Sequence, residues 1–432
     1  MSDGDLRQRL ARMQRLREAM PRRLARFERP SGEGPRPAPP PAGEGEPREL
    51  RGLPPGEELH TPLGVSYLFT ARFAFSHEHG DAPLGTLAGR SLASAARFAA
   101  EPRLASLTAA DCAFIDTETT GLSLGAGTLV FLVAVGLITD EGFEVRQFFL
   151  RSPDEEPAML AALDEALAGR PALVTFNGRS FDVPMLAGRY LLNRMRSRLE
   201  ALPNLDLLPP ARRLWRRRLA SCALGNLERE VLGVYRSAQD VPGWMIPTIY
   251  TDYLRTGDTS GIARVVYHNL MDVLSMVTLA ARLCRDFEME AVAERPMPPQ
   301  DQLSLARWYA ALNMPAEAEA AYRAAVDADL SDEDLRQAFR ELTTMLRRAG
   351  RRAEAAEQWA LWSARIPSDP EPCVEIAKHL EWHTRDLPGA HRWATAALEA
   401  VERWPAGRAQ AAARAEIRHR LARLERKMGR VS

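Results

Sequence analysis

The chain has 432 residues, of which 46% are hydrophobic and 26% charged, and its 57 basic and 57 acidic side chains leave a formal net charge of zero. Because one hydrophobic core rarely extends over so many residues, two or three domains are expected. The balanced charge excludes attraction of polyanions by the overall field of the molecule. Any contact with nucleic acid must therefore come from a local cluster of basic residues.

The sequence contains no apolar run as long as the roughly 18 residues that a membrane span requires. Its first residues, MSDGDLRQRL, lack the apolar stretch of a secretory signal, so export is not expected. We therefore predict a cytoplasmic protein without a membrane span.

The residues that usually bind zinc are scattered along the chain. His77 and His79 have no further candidate ligands beside them, which favours a loop over a zinc site. The cysteines form no CxxC pair and are far apart: Cys112, Cys222, Cys284 and Cys373. This spacing also argues against a disulfide framework and suits a reducing compartment.

The first 57 residues are expected to lie outside the folded domains. Apolar residues at roughly helical spacing, with arginines between them, predict a basic amphipathic helix over residues 1–29. This helix would contact nucleic acid or a membrane surface, or it is a solvated or docked arm; the unspecific pattern favours the arm. The proline- and glycine-rich stretch at 30–57 predicts a linker.

Residues 58–290 combine strand and helix patterns. Apolar, β-branched runs predict strands at AFID (113–116), TLVFLVAVGLI (128–138), FEVRQFFL (143–150) and ALVTF (172–176). Helical spacing predicts helices at 155–169 and 181–192. The first three strands are joined by short turns and should form a meander. Strands followed by alternating helices and strands indicate an α/β layered domain.

Residues 300–432 are alanine-rich, helical and self-similar. The aromatic residues Tyr322, Trp359 and Trp393 are separated by 37 and 34 residues. This is the period of helix–turn–helix repeats, and the segment resembles degenerate tetratricopeptide repeats. An arginine-rich helix at 408–427 would extend the array or close it.

The first candidate catalytic motif is Asp116-Thr117-Glu118. Alternate residues of a strand point to the same face, so Asp116 and Glu118 should present neighbouring carboxylates. Two like charges so close require a compensating cation, and oxygen ligands select Mg²⁺ or Mn²⁺ over zinc. Acidic pairs at exposed strand ends are common without any function. The apolar AFI before the motif favours a site.

Two further motifs supply acids farther along the chain. NGRSFD (177–182) places Asp182 at the start of a helix, where it is either functional or only a capping residue. YHNLMD (267–272) is predicted to open an apolar helix on which His268 and Asp272 share one face. Taken alone, His268 is more readily interpreted as a buried structural residue.

Together the three ordered motifs resemble those of the DEDD exonuclease superfamily, most closely the YprB-like ribonuclease-H-like group, over about residues 60–285. The resemblance implies a mixed sheet flanked by helices, and a two-metal phosphodiester hydrolase that uses Mg²⁺ or Mn²⁺. It further implies a 3′→5′ exonuclease acting on DNA or RNA with a free 3′ end. Asp116, Glu118 and Asp272 would ligate one ion, Asp116 would bridge to the second, and Asp182 would act mainly through water.

The resemblance also suggests residues that contact the substrate. Leu122 matches a position that packs on the terminal base in proofreading exonucleases, although a core role fits equally well. Asn177 is a second candidate nucleic-acid contact. The motif departs from the family because His268 and Tyr267 overlap as HxxxD and YxxxxD. We predict His268 as the general base, since an imidazole pKa near 6.5 suits that role and a phenol pKa near 10 does not, with Tyr267 and Asn269 as supporting residues.

A local basic patch lies between the second and third motifs. Eight arginines between residues 194 and 218 stand against Glu200 and Asp206. Arginines with an interleaved indole are typical of contacts with nucleic acid. Alternatively, this is a solvated helix with Leu214, Trp215 and Leu219 as its buried stripe. The candidate nucleic-acid contacts are Arg212, Arg213, Trp215, Arg216, Arg217 and Arg218.

Two other functions remain open at this stage. The first is a catalytically weak module that binds nucleic acid, which the four carboxylates disfavour because a phosphate binder gains nothing from burying negative charge. The second is an adaptor that binds a protein partner through its helical repeats. Exposed side chains on the concave face of the repeats would favour the adaptor.

Overall fold

The structure is a computed structural model that describes residues 53–121, 127–289 and 297–429. Residues 50–432 form one of the two compact units into which the chain divides. The predicted helix at 1–29, most of the predicted linker and Leu122 lie outside the described residues. Within these residues, no helix combines the length and the apolar character needed to cross a bilayer.

A seven-stranded mixed sheet lies at the centre of residues 56–206, with the strand order β1-β2-β7-β6-β5-β8-β9. Neighbours from β1 to β5 in this order pair antiparallel, whereas β5, β8 and β9 pair parallel. The sheet strands are β1 (Gly56–Thr61), β2 (Gly64–Phe73), β5 (Cys112–Thr119), β6 (Val130–Ile138), β7 (Phe143–Phe149), β8 (Ala172–Thr175) and β9 (Asn204–Asp206). A separate hairpin consists of β3 (Glu78–His79) and β4 (Ala82–Pro83).

The predicted meander is present as β5, β6 and β7. Strand β6 is buried along its whole length, because β5 and β7 flank it and helices cover the sheet. Its register places Ala134 between Asp116 of β5 and Gln147 of β7. This register brings a polar side chain of β7 close to the acidic end of β5.

Seven helices are described between residues 93 and 287. They are α1 (Ala93–Phe98), α2 (Glu156–Ala166), α3 (Asp182–Leu192), α4 (Leu208–Trp215), α5 (Leu224–Leu227), α6 (Ile246–Thr256) and α7 (Ser260–Phe287). A π-helical turn, Glu228–Leu232, continues α5.

Helix α7 corrects one prediction. The motif YHNLMD does not open a helix but lies in the middle of the 28 residues of α7. Gly257, with a left-handed φ of 79°, ends α6, and the chain restarts as a helix at Ser260. The earlier start of the helix was not predicted, because the polar residues of the motif interrupt the apolar stripe of α7 where it meets the acidic end of β5.

The C-terminal region is all helical, as expected. Its elements are α8 (Pro299–Ala311), α9 (Pro315–Asp327), α10 (Asp332–Arg348), α11 (Arg352–Arg365), α12 (Glu371–His379), the π-helical turn Leu380–Thr384, α13 (Leu387–Glu402) and α14 (Arg408–Met428). Tyr322, Trp359 and Trp393 lie on α9, α11 and α13, the second helices of successive pairs. This placement accounts for their spacing, whereas the tetratricopeptide assignment stays a prediction.

One hydrophobic core joins the sheet domain to the C-terminal helices. Phe98, Phe287 and Trp308 pack together, with ring centroids 5.2–5.6 Å apart. Burial of three large aromatic side chains strongly favours association of the two regions. The C-terminal helices therefore cover one side of the sheet domain, around α4 and the end of α7.

Candidate active site

The four predicted carboxylates come from three elements. Asp116 and Glu118 lie on β5, Asp182 is the first residue of α3, and Asp272 lies in the middle of α7. Burial, together with the neighbouring negative charges of Asp272 and Glu118, raises the pKa of Asp116 well above its ordinary value. Burial and the charge of Asp272 likewise raise the pKa of Glu118. The fold thus gathers negative charge that lacks full compensation.

Asp116 is held by an amide network that crosses from the helix to the sheet. The Nδ2 group of Asn269 donates to Asp116 Oδ2 at 2.7 Å. Asn269 is fully buried, and its Oδ1 accepts a hydrogen bond of 2.8 Å from Gln147 Nε2 on β7. Asn269 was predicted only as a supporting residue, and the hydrogen bond to Asp116 is the contact by which it supports the site. Gln147 was not predicted, because its contact with Asn269 spans 122 residues.

Asp182 is fixed by the strand that carries the other acids. Thr117, between Asp116 and Glu118, donates from Oγ1 to Asp182 Oδ1 at 2.5 Å. Burial raises the pKa of Asp182 to about 6. The interpretation of Asp182 as a helix cap alone therefore does not account for its contact with β5.

Asp206 and Gly178 determine the conformation of the loop that precedes Asp182. The buried Asp206 accepts hydrogen bonds from the backbone N–H groups of Asn177, at 2.8 Å, and Arg179, at 3.3 Å. A Cβ at Gly178 would lie 2.4 Å from the Thr175 side chain, so only glycine fits there. Asn177, the candidate nucleic-acid contact, is exposed and has a left-handed φ of 67°.

His268 lies against this acidic cluster. Its Nδ1 is 2.7 Å from Asp240 Oδ1, and its Nε2 is 3.5 Å from Asp272 Oδ2. Arg236 also lies 3.2 Å from Nδ1 and can only donate, whereas Asp240 can only accept. The shorter Asp240 contact favours a proton on Nδ1, with Nε2 facing Asp272. Donor atoms of Glu118, His268 and Asp272 lie within 4.8 Å of one another. The imidazole of His268, predicted as a general base, therefore lies among the candidate metal ligands.

Tyr267 points to a different part of the molecule. Its hydroxyl accepts a hydrogen bond of 3.2 Å from the backbone N–H of Ser237. Its ring lines a cleft together with Phe69 and Gln239, and this cleft has none of the four carboxylates among its lining residues. Tyr267 thus supports the loop at 233–242.

A network of buried polar contacts lies behind the four carboxylates and was not predicted from the sequence. Arg236 donates to both carboxylate oxygens of Glu228, at 2.7 and 2.5 Å, and also pairs with Asp272. Ser275 donates to Glu228 at 2.6 Å, and His79 Nε2 lies 2.8 Å from Ser275 Oγ. These residues link the β3–β4 hairpin to the acidic site.

His79 therefore does not belong to an exposed loop. It lies on β3 with 5% of its surface exposed, and burial lowers its pKa to about 4. Its neutral ring serves the Ser275 hydrogen bond. No local pattern marks this role, since Ser275 is 196 residues away in sequence.

The basic patch separates into two groups. Trp215 is fully buried, which corrects its predicted stacking role and leaves the alternative of a buried stripe with Leu214 and Leu219. Arg217 pairs with Asp334 and Arg218 with Asp301, so these two guanidinium groups bind the C-terminal helices. Their predicted contacts with nucleic acid stay a prediction beside this structural role. Among the candidate contacts at 212–218, the arginines that remain exposed are Arg212, Arg213 and Arg216.

Comparison with known proteins places this site in a family. A family model described as RNase_H superfamily matches residues 113–284. These residues form a domain of the RNase H superfamily. The RNase H domain runs from β5 to the end of α7 and contains all four carboxylates and His268.

One relative extends the similarity beyond the RNase H domain. The chain is 30% identical to YprB of Bacillus subtilis (strain 168), an uncharacterized protein, over 282 residues. The match covers 63% of this chain and 66% of YprB, slightly under two thirds of the relative's length. The resemblance drawn from the motifs and the expected mixed sheet with a helical C-terminal region are confirmed. The superfamily supports a nuclease action on nucleic acid in general terms.

Proposed function

We propose that the protein is a divalent-metal-dependent nuclease that hydrolyses phosphodiester bonds in DNA or RNA. We further propose a two-metal mechanism and 3′→5′ exonuclease action at a free 3′ end. The observation that supports this proposal best is the meeting of Asp116, Glu118, Asp182 and Asp272 inside an RNase H domain. A structural role alone would not explain this cluster, in which burial and the charges of neighbouring acids raise the pKa values of Asp116 and Glu118.

The donor set suits Mg²⁺ or Mn²⁺. Carboxylate oxygens are the ligands these ions prefer, and RNase H-like nucleases in general use divalent ions. Bound ions would neutralise the neighbouring charges that, after burial, raise the pKa values of Asp116 and Glu118. Held by Asp116, Glu118, Asp182 and Asp272, two ions would lower the pKa of water and stabilise charge on the phosphate.

His268 and Asp240 supply the proton transfer in this proposal. With its Nδ1 proton held by Asp240, His268 presents Nε2 to accept a proton from the attacking water. The carboxylate of Asp240 then stabilises the imidazolium that forms. Asp240 follows no recognisable motif, so only the fold assigns it this position.

Three residues keep the acids in place. Asn269 orients Asp116, Thr117 orients Asp182, and Arg236 places a positive charge against Asp272. A displacement of about 1 Å at a reacting group costs on the order of 10²-fold in rate, so these contacts affect turnover without touching substrate.

The deciding experiment is a nuclease assay on single- and double-stranded DNA and RNA labelled at either end, with Mg²⁺, Mn²⁺ or EDTA. We expect mononucleotides to be released from the 3′ end only when metal is present. Asp116→Asn, Glu118→Gln and Asp272→Asn should each lower the rate by at least about 10³-fold, since each removes a metal ligand. Asp252→Asn, at an exposed acid on α6, is the matched control.

The outcomes separate the alternatives. If the acid variants cleave as fast as wild type, the nuclease proposal is wrong. Binding of nucleic acid without turnover in any metal would instead identify a catalytically weak binding module. Products that retain a labelled 3′ terminal nucleotide would contradict the 3′→5′ polarity while leaving metal-dependent hydrolysis intact.

A further inference from the structure

A second concave surface lies in the C-terminal helices, away from the acidic residues of the RNase H domain. A groove of about 550 Å³ is lined by α10, α11, α12 and the π-helical turn Leu380–Thr384. Its charged lining consists of Arg347, Arg348, Arg352 and Lys378 against a single carboxylate, Glu375. We call this surface the basic groove.

Arg348 and Arg352 of the basic groove differ from the neighbouring arginines in their ion pairing. Around them, Arg340 pairs with Glu371 and Arg351 with Glu354. In the part of the chain that the structure describes, no carboxylate lies within ion-pair distance of Arg348 or Arg352, and both side chains are exposed. Guanidinium groups that are already free of carboxylates bind phosphate without first breaking an ion pair.

The same groove presents aromatic and imidazole rings. Trp382 is 53% exposed, although it is one of the largest apolar side chains. The imidazoles of His379 and His383 lie in the groove with ring centroids 5.6 Å apart. Flat rings beside cations provide the stacking platform that unpaired bases need.

The turn that carries Trp382 is held rigidly. Glu381 is buried and accepts hydrogen bonds from Arg423 at 2.6 Å and Lys427 at 2.7 Å on α14. The π-helical turn itself is a costly irregularity, and such turns are frequent at functional sites. The exposed indole is thus fixed in position before any ligand arrives, which lowers the entropy cost of binding.

We propose that the basic groove binds a segment of single-stranded nucleic acid. Arg348 and Arg352 contact phosphates, and Trp382 stacks on a base. A peptide partner is disfavoured because no leucine, isoleucine, valine, methionine or phenylalanine lines the groove, so it has no pocket for aliphatic anchors. The proposal goes beyond catalysis, since binding at this surface requires no metal.

The test is fluorescence anisotropy with a labelled 12-nucleotide single strand of mixed sequence, in EDTA, with the full chain. The Arg348→Gln/Arg352→Gln variant should bind about tenfold more weakly. It should also flatten the plot of log affinity against log salt concentration by about 1.4, since each phosphate contact on a single strand contributes about 0.7. The matched control is Arg392→Gln/Arg418→Gln, which removes two exposed arginines outside the groove.

Trp382 provides an independent readout. Trp382→Ala should weaken binding about tenfold, whereas Trp382→Phe keeps a ring and should retain most of the affinity. Unchanged affinity and salt slope in the double arginine variant would overturn the proposal. So would competition by polyglutamate as effective as that by an unlabelled oligonucleotide of equal charge, which would instead indicate an acidic protein partner. Because the measurement needs no turnover, it stands even if the proposed nuclease activity fails.

Discussion

His268 and Asp240 form the contact that decides how the imidazole faces the acidic cluster. The 2.7 Å contact of His268 Nδ1 with Asp240 holds the ring so that Nε2 lies 3.5 Å from Asp272. A neutral imidazole oriented by a carboxylate is suited to accept a proton. This contact makes the role of His268 separable from that of Tyr267.

The first prediction concerns the general base. At saturating Mn²⁺, His268→Ala should lower kcat by about 10²–10⁴-fold, the usual contribution of a general base. Asp240→Asn should cost less, because the imidazole remains but its charged form loses a carboxylate partner. Tyr267→Phe should change kcat little, since its hydroxyl accepts only the Ser237 hydrogen bond.

Calorimetric metal titration of these variants is the control. If His268→Ala loses metal affinity but regains full kcat at high metal concentration, His268 is a ligand and not a base. A large loss in Tyr267→Phe, with His268→Ala nearly active, would assign the proton transfer to the tyrosine.

The second prediction concerns Arg236, whose positive charge competes with a metal ion for Asp272. Arg236→Gln removes this charge, so the affinity for Mg²⁺ should rise. The metal-free protein should lose about 3 kcal/mol of unfolding free energy, because Glu228 stays buried without its partner. Calorimetry and urea unfolding in EDTA measure the two effects.

Arg236→Lys keeps the charge and should lie between wild type and Arg236→Gln in both measurements. Arg255→Gln, which breaks an exposed pair with Asp252, should cost less than about 1 kcal/mol. Weaker Mg²⁺ binding by Arg236→Gln would show that the guanidinium supports the metal site instead of competing with it.

The third prediction follows from the division of the basic patch. Arg217→Gln/Arg218→Gln should lower the unfolding free energy by about 1–3 kcal/mol, because Asp301 is buried and loses its partner. Its effect on binding of single-stranded DNA should be small. Chemical unfolding followed by anisotropy on the folded fraction checks both expectations.

The exposed arginines of the same patch should behave in the opposite way. Replacing Arg212, Arg213 and Arg216 with glutamine should leave stability nearly unchanged, weaken binding of all sequences alike and flatten the salt dependence. An unaltered salt dependence would make this surface a solvated face.

The fourth prediction concerns the pH dependence of stability through His79. Its folded pKa of about 4 lies below its value in the unfolded chain, about 6.5, so the unfolded chain takes up the proton first. The stability associated with neutral His79 is therefore present above pH 6.5 and lost as the pH falls toward 4. Between pH 7 and 5 the loss should be about 2 kcal/mol.

His79→Gln cannot be protonated, so its unfolding free energy in EDTA should fall less than that of wild type over this range. Both proteins share the charged groups that act on His79, which are Glu228, His77 and Arg236, so the difference between the two profiles reports on His79. His60→Gln removes an exposed imidazole and is the matched control. Parallel pH profiles for wild type and His79→Gln would show that His79 is protonated without cost.

Much of the candidate site could be predicted from local sequence patterns. The period of two along β5 places Asp116 and Glu118 on one face, and the strand–loop–helix pattern places Asp182 at a helix start. The four-residue spacing of His268 and Asp272 puts both on one face of α7 whether the helix begins at Ser260 or later. These relationships depend only on backbone geometry within one element, so a single sequence carries them.

Tertiary packing decided the rest. Trp215 has the same local pattern whether it is buried or stacked on a base, and only its place in the core shared with the C-terminal helices makes it buried. Arg236 and Asp240 come from an irregular loop with no periodicity, and they meet α7 only in the folded chain. Periodicity reports which face of an element is covered, whereas the partner that covers it depends on contacts between residues distant in sequence.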